Sequence, residues 1–435
     1  ISIKNAFYIL KDSLILYFRG ITNPLDYLYV KIMRFILKSI CCWPSELLGE
    51  KTWKIGPYRG IITLFLNCVT LSSNIAYMAA EYKSLKMLEI GHMCLTMFMT
   101  TCSRTALLPL NPKYKKILVT YFTSFHLFHH YHKSDYSKEI HIRIHKYSHL
   151  VTMGILLQMM VGLTLFNAIP IYVNIAKGSY KERYLVNSTY ELAVYLYYPR
   201  DAGTNRNSYL IALAYNWYAT YAVSCCICFL DLVLFLIIFH LYGHFKILLN
   251  ILATFPRPAA TMNEVTNTIE QNYMYSKEEL EEVFLKLKEC INYHNFLLNF
   301  TRTMSDTFGP MLYVYYWFHQ VSCCLLLLEC AEMKPEALMR YGPLTIIVFE
   351  FLTQISIVFE MIGTVSEKLN DAVYELPWEC MDTKNRRLIL FFLVNVQTPV
   401  HVKAVGLITM GVKTMASILK TSVSYFTFLR TVPAE

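Results

Sequence analysis

The chain runs to 435 residues, of which 55% are apolar and only 16% charged. A soluble domain averages about 45–50% apolar and about 25% charged residues, so this composition lacks the charged shell that a water-soluble fold of such length requires and points to a bilayer. Aromatics at 15% exclude low-complexity disorder, and a net charge of +9 spread along the chain raises a question of membrane sidedness, with no nucleic-acid partner implied.

The leading segment scatters Lys4, Lys11, Arg19, Lys31, Arg34 and Lys38 among apolar residues. It has no long apolar core followed by a small-residue cleavage site, so no secretory signal is expected. Most of the 13 cysteines, among them Cys68, Cys94, Cys225, Cys226, Cys228 and Cys323, sit inside apolar stretches and read as small hydrophobes. No CxxC pair has a redox or metal partner at a suitable spacing.

Stretches long enough to cross a bilayer, about 20 mostly apolar residues, occur at 60–79, 87–109, 148–175, 208–240, 307–330, 342–362 and 402–429. The second is interrupted by Glu89, His92 and Arg104, and the fourth is too long for one crossing and should project into an aqueous phase. Lys and Arg in alternate loops beginning with the first outnumber those in the remaining loops nearly threefold, which puts the N-terminus inside and the C-terminus outside. In that orientation the sequon at Asn187 lies in the longest outer loop and is a glycosylation candidate, whereas the one at Asn299 is inside. The expected fold is an all-α membrane protein of seven transmembrane helices with a cytoplasmic N-terminus. Its parts are an inner segment over 1–59, spans one to four within 60–240, an inner loop over 241–306, spans five and six within 307–362, inner helices over 363–401 and a final span over 402–431. A G-protein-coupled receptor has the opposite orientation, and neither its arginine triplet nor its NPxxY sequence is present.

In the first inner loops, His126, His129, His130 and His132, followed by His141, His145 and His149, invite a metal reading. No Cys or carboxylate cluster joins them, so a solvated or interfacial helix face is expected and no metal. Further on, Ser276-Lys277-Glu278-Glu279 is a capping box opening an amphipathic helix with apolar Leu280, Val283, Phe284, Leu287 and Ile291. No Gly or Pro interrupts it before Gly309, so it should run into span five. A second inner helix is expected between Asn385 and Val396, punctuated by Pro377 and Pro399.

The last span differs from the others. Lys413, Ser417, Lys420, Ser424, Thr427 and Thr431 recur at alternating steps of four and three, which keeps them within about 40° of one line down a helix. Polar faces of spanning helices commonly mark helix contacts. Two lysines cost about 2.5–3.5 kcal/mol each at membrane depth unless they meet water, snorkel or pair. The stripe therefore favours a wetted surface, and because one helix cannot enclose a pore, several copies around an axis are implied.

Trp378, Arg386-Arg387, Gln397-Thr398-Pro399, Gly406 and the run Ser422-Val423-Ser424-Tyr425-Phe426-Thr427-Phe428-Leu429-Arg430 resemble the end of an insect odorant receptor. The resemblance covers about the last sixty residues. It implies a tetrameric, ligand-gated, non-selective cation channel whose last span lines a central pore and whose inner helices form an anchor holding the subunits together. It also implies a plasma-membrane location in an olfactory neuron, an odorant ligand, no cofactor, no catalysis and no G protein. Aligning Ser424-Tyr425-Phe426 with the family's terminal motif puts the hydrophobic gate on Phe428. The related gustatory receptors, an alternative that would form homotetramers, end in a run closing on Gln-Phe where Leu429-Arg430 stands here. The family's co-receptor has a longer loop between spans four and five, so an odour-tuning subunit partnered by that co-receptor in a heterotetramer is expected. A transporter would show paired Gly or Pro breaks at mid-membrane, which are not found, and no span pairs His, Glu or Asp for catalysis.

In the family the odorant pocket lies among spans two, three, four and six. A volatile ligand needs aromatic area and adaptable Met side chains, which selects Met93, Met97, Met160, Thr164, Tyr215, Trp217, Tyr218 and Phe349. Each is equally open to lipid contact or core packing. Glu350 is assigned to a buried hydrogen-bond network.

Overall fold

The computed structural model describes residues 21–50, 56–81, 83, 87–102, 111–180, 190–197, 206–258, 260–263, 268–271, 274–331 and 335–431. Ten α-helices are found among them. They are α1 (Leu28–Ser39), α2 (Gly56–Glu81), α3 (Met87–Cys102), α4 (Pro112–Thr120), α5 (Asp135–Ala176), α6 (Arg206–Ala253), α7 (Lys277–Ala331), α8 (Pro335–Tyr374), α9 (Thr383–Val396) and α10 (Val412–Thr431). Two short antiparallel hairpins interrupt the helical chain. In one, β1 (Ala260–Asn263) pairs with β2 (Thr268–Gln271); in the other, β3 (Lys403–Ala404) pairs with β4 (Ile408–Thr409).

Helices α2, α3, α5, α6, α7, α8 and α10 occupy the seven expected spans. Of these, α5 to α8 are each long and apolar enough to cross a membrane, while α3 carries a shorter apolar stretch over Ile90–Thr100. The capping box forms as read: Glu279 N donates to Ser276 Oγ at 3.2 Å and Ser276 N to Glu279 Oε2 at 2.7 Å. From there α7 continues for 55 residues, about 80 Å at 1.5 Å per residue. The helix expected near 385–396 is α9, whose N-cap Asp382 accepts from Asn385 N at 3.0 Å.

The last span begins later than expected. Residues 403–409 form the β3–β4 hairpin, and the helix starts only at Val412, not at 402. Gly309 on α7 lets the hairpin close on the bundle, because a Cβ there would stand 3.0 Å from Val405 N and 3.2 Å from Lys403 O. Pro310 follows at once inside the helix and has no backbone N–H to give to the turn before it.

The histidines are a solvated face only in part: His129 and His132 are exposed and His130 and His149 half-buried, but the others turn inward. His126, His141 and His145 are buried, together with His240 and His244 of α6. His126, His141 and His145 pack against Tyr27, and His126 and His145 also meet Tyr29; His240 packs on His126 and His244 on Phe125, in a knot that ties α1, the Tyr121–Phe125 π turn, α5 and α6 together. Phe128 N donates to His126 Nδ1 (3.1 Å) and Leu127 N to His240 Nδ1 (3.1 Å). His244 Nε2 donates to the Phe125 carbonyl (2.7 Å) and takes the Tyr293 hydroxyl at Nδ1 (2.6 Å). A ring nitrogen that accepts an N–H or O–H carries no proton, so these rings are fixed in neutral tautomers. Burial is the chief cause that pushes His141 down to about 3, His145 to about 4 and His244 to about 3, with neighbouring histidines adding to it. Among the described residues no group of three His, Cys, Asp or Glu is arranged to hold a metal.

Candidate ligand cavity and pore-facing helix

A cavity of about 140 Å³ lies where α2, α3, α5, α6, α7 and α8 converge. Its apolar wall includes Met99, Met159, Leu163, Phe166, Ile227, Phe318, Ile347 and Phe351, an aromatic and Met-bearing surface suited to a small apolar guest. Gly162 on α5 and Pro343 on α8 also line it.

Most polar groups on the wall are already engaged. Thr96, Thr100 and Thr220 return their hydroxyls to backbone carbonyls of their own helices. The Tyr315 hydroxyl donates to Asp231 Oδ2 at 2.6 Å, and Gln158 Nε2 donates to Glu350 Oε2 at 3.0 Å. His319 is 1% exposed, and both of its ring nitrogens lack a hydrogen-bond partner among the described residues. Nδ2 of the buried Asn67 on α2 is in the same condition.

None of the eight residues selected for ligand chemistry forms the cavity wall itself. Tyr215 is joined to it: its hydroxyl lies 2.7 Å from that of Thr70, which lines the cavity. Met93 is buried one turn from the lining Thr96, while Met97, Trp217 and Phe349 are half-buried. Thr164, Met160 and Tyr218 are exposed on the single protomer, and Thr164 bonds back to the Met160 carbonyl. The cavity thus touches the four helices from which those residues were selected, at neighbouring faces, and α2 and α7 line it as well. His319 and Asn67 were missed, although a lone His within an apolar span is a recognisable signal of function. Glu350 is hydrogen-bonded by Gln158 and Gln354 but exposed, so it stands at the rim of the cavity and not in a buried network.

The α10 stripe has a definite direction. Lys413, Ser417, Lys420, Ser424 and Thr427 are all exposed, as is Phe428, whereas Ile418 and Ser422 are buried against the protomer. Packing on α7 and α8 holds this orientation. Gln320 Nε2 of α7 donates to Ser422 Oγ at 3.1 Å, and the Ser422 hydroxyl donates back to the Gln320 carbonyl. At its start α10 is capped from outside: Val412 N donates to Glu360 Oε2 of α8 at 3.0 Å. The Thr431 side chain and Asn187 lie outside the described residues.

Comparison with known proteins gives a consistent picture. The family described as 7tm Odorant receptor matches residues 87–423. Odorant receptor 13a of Drosophila melanogaster is 27% identical over 161 residues, which are 34% of this chain and 38% of that protein. Odorant receptor Or2 of Anopheles gambiae is 24% identical over 154 residues, 34% of this chain and 40% of its own. The aligned stretch thus spans about two fifths of these curated relatives. The structure of the insect olfactory receptor OR5 from Machilis hrabei in complex with eugenol superposes with a TM-score of 0.71 at 13% identity, covering 93% of this chain and 97% of that one.

Proposed function

This chain belongs to the insect odorant-receptor family, and from that premise we propose that it is the odour-tuning subunit of a ligand-gated, non-selective cation channel. Its partners in this reading are a volatile odorant, the bilayer of a sensory neuron's plasma membrane and the family's co-receptor in a heterotetramer, with no G protein. The N-terminus is inside. The odorant occupies the six-helix cavity, and the α10 stripe from Lys413 to Thr431 faces a shared axial conduit with Phe428 at its constriction.

One observation carries the channel reading. Exposed polar and cationic side chains run along one side of α10 while its other side packs on α7 and α8. A membrane-depth surface bearing Lys413 and Lys420 is stable against water and not against lipid, so the stripe has to meet an aqueous path made with neighbouring subunits. The cavity supports the ligand side: OR5 of Machilis hrabei, which shares this fold, was solved with eugenol, and the present cavity offers a mainly apolar, aromatic and Met-bearing wall that suits a small molecule.

Cysteine substitution along 413–428, co-expressed with the co-receptor, tests the reading. Water-soluble thiol reagents should alter the odour-evoked current at 413, 417, 420, 424 and 427 and leave it unchanged at the buried positions 418 and 422. Modification that never changes the current would overturn it.

A further inference from the structure

The cavity wall holds two buried polar side chains with unmet hydrogen-bonding capacity. His319 projects from α7 onto a mainly apolar wall with neither ring nitrogen partnered among the described residues, and Asn67 offers Nδ2 from α2. A neutral imidazole always presents one N–H donor and one lone pair. Leaving both without a partner in an apolar enclosure is costly, which is why nearly all buried polar groups in folded proteins are bonded. Tyr315, one turn away on the same helix, meets the His319 ring edge to face and gives its hydroxyl proton to Asp231, and no hydrogen bond joins the two residues. Leu, Ile or Phe at 319 would suit a cavity meant for hydrocarbon.

We propose that the cavity selects an oxygen-bearing volatile, a hydroxyl compound by preference, whose oxygen bonds His319 and Asn67 while its carbon skeleton lies on Met99, Leu163, Phe166 and Phe351. A hydroxyl can donate to a bare ring nitrogen or accept from a ring N–H, so it suits whichever His319 nitrogen meets it, and a lone pair of its oxygen takes the Asn67 amide N–H. The reading rests on the ligand cavity proposed above. A site built to hydrogen-bond a guest rejects the isostere lacking that group, since the site's own polar atoms are then left unpaired.

The test compares n-octane with 1-octanol, at equal concentration within the bilayer, as stabilisers of the purified receptor complex in nanodiscs. Thermal unfolding gives an apparent affinity for each. The wild type should hold 1-octanol about tenfold more tightly than n-octane. His319→Leu should erase that preference and leave n-octane binding intact or improved, while His319→Gln, which keeps a donor and an acceptor, should retain most of it. Gly162→Phe, which fills the cavity, should abolish stabilisation by both. Equal affinities in the wild type, or a preference that survives His319→Leu, overturn the inference; the wild-type comparison decides even if the Leu variant does not fold. A wild type stabilised by neither compound, or stabilisation that persists in Gly162→Phe, overturns the ligand cavity itself.

Discussion

The Tyr315 hydroxyl donates to Asp231 Oδ2 at 2.6 Å across the contact between α7 and α6, with both side chains buried. An acidic group inside a spanning helix is tolerated only with a partner, and the ring of the same tyrosine forms part of the cavity wall. Tyr315→Phe keeps that ring and removes the donor. It should destabilise the protein by about 1–3 kcal/mol, read as a lowered thermal midpoint and reduced surface delivery. Adding Asp231→Leu should recover much of the loss, because an apolar pair of similar shape leaves no orphaned polar group. A single mutant with unchanged stability would remove this bond from the list of structural determinants.

Phe428 stands at the edge of the exposed stripe and is itself exposed on the protomer. A hydrophobic constriction closes a conduit by excluding water, so Phe428→Ala should raise the basal current in the absence of ligand. Whole-cell recording with the co-receptor is the check. Unchanged basal current and rectification would count against this residue as gate.

Glu360 accepts from the first N–H of α10 and sits at the positive end of that helix. Removing the carboxylate by Glu360→Ala should cost about 1 kcal/mol of helix stability and shift the half-maximal ligand concentration by about fivefold. Permeability ratios should stay as they are, since the carboxylate serves the α10 backbone and is not one of the stripe's side chains. Glu360→Gln, still able to accept, should shift it less.

At Gly309 the opposing atoms are backbone, Val405 N and Lys403 O. Backbone cannot swing aside as a side chain does, so Gly309→Ala should displace the β3–β4 hairpin and destabilise by about 1–3 kcal/mol. Gly154, whose added Cβ would meet nothing within 4 Å, is the matched control. Limited proteolysis near 403–409 should report the difference between the two variants.

The histidine knot predicts acid sensitivity. His141, His145 and His244 have folded pKa values near 3, 4 and 3, against an ordinary value of about 6.5 in the unfolded chain. Above pH 6.5 neither state carries the proton and stability is unaffected. As pH falls below 6.5 the unfolded chain takes up protons that the folded knot refuses. Each ring then withdraws up to about 1.4 kcal/mol per pH unit until its folded pKa is reached. Thermal unfolding of the purified protein between pH 7.5 and 5 should show a decline that is flattened in His145→Gln.

What could be read without coordinates follows the range of the interactions involved. The capping box at Ser276, the unbroken path of α7 and the α9 segment between Pro377 and Pro399 depend on neighbours a few residues away, and each appears where the residues indicated. The start of α10 was misjudged because the apolar residues around the hairpin, from Val400 to Ile408, look like more span; periodicity does not separate short strands from helix. The cavity wall was harder still. Which side of α3, α5 or α6 meets it depends on helix rotation, and rotation is set by partners far away in the chain. The burial of His126, His141 and His145 escaped local reading for the same reason, since His240 and Tyr29, which cover His126, come from helices that no local pattern connects to it.

His319 and Gln320 are consecutive on α7. One side chain borders the cavity and the other grips Ser422 of α10. In a rigid helix two adjacent side chains share every twist of the axis, so in the channel proposed above a guest that draws His319 toward itself would swing the grip on Ser422 through the same angle. On that proposal, taste for a molecule and readiness to conduct meet at one joint, and a lineage that retunes the first by substitution here would also have to readjust the second.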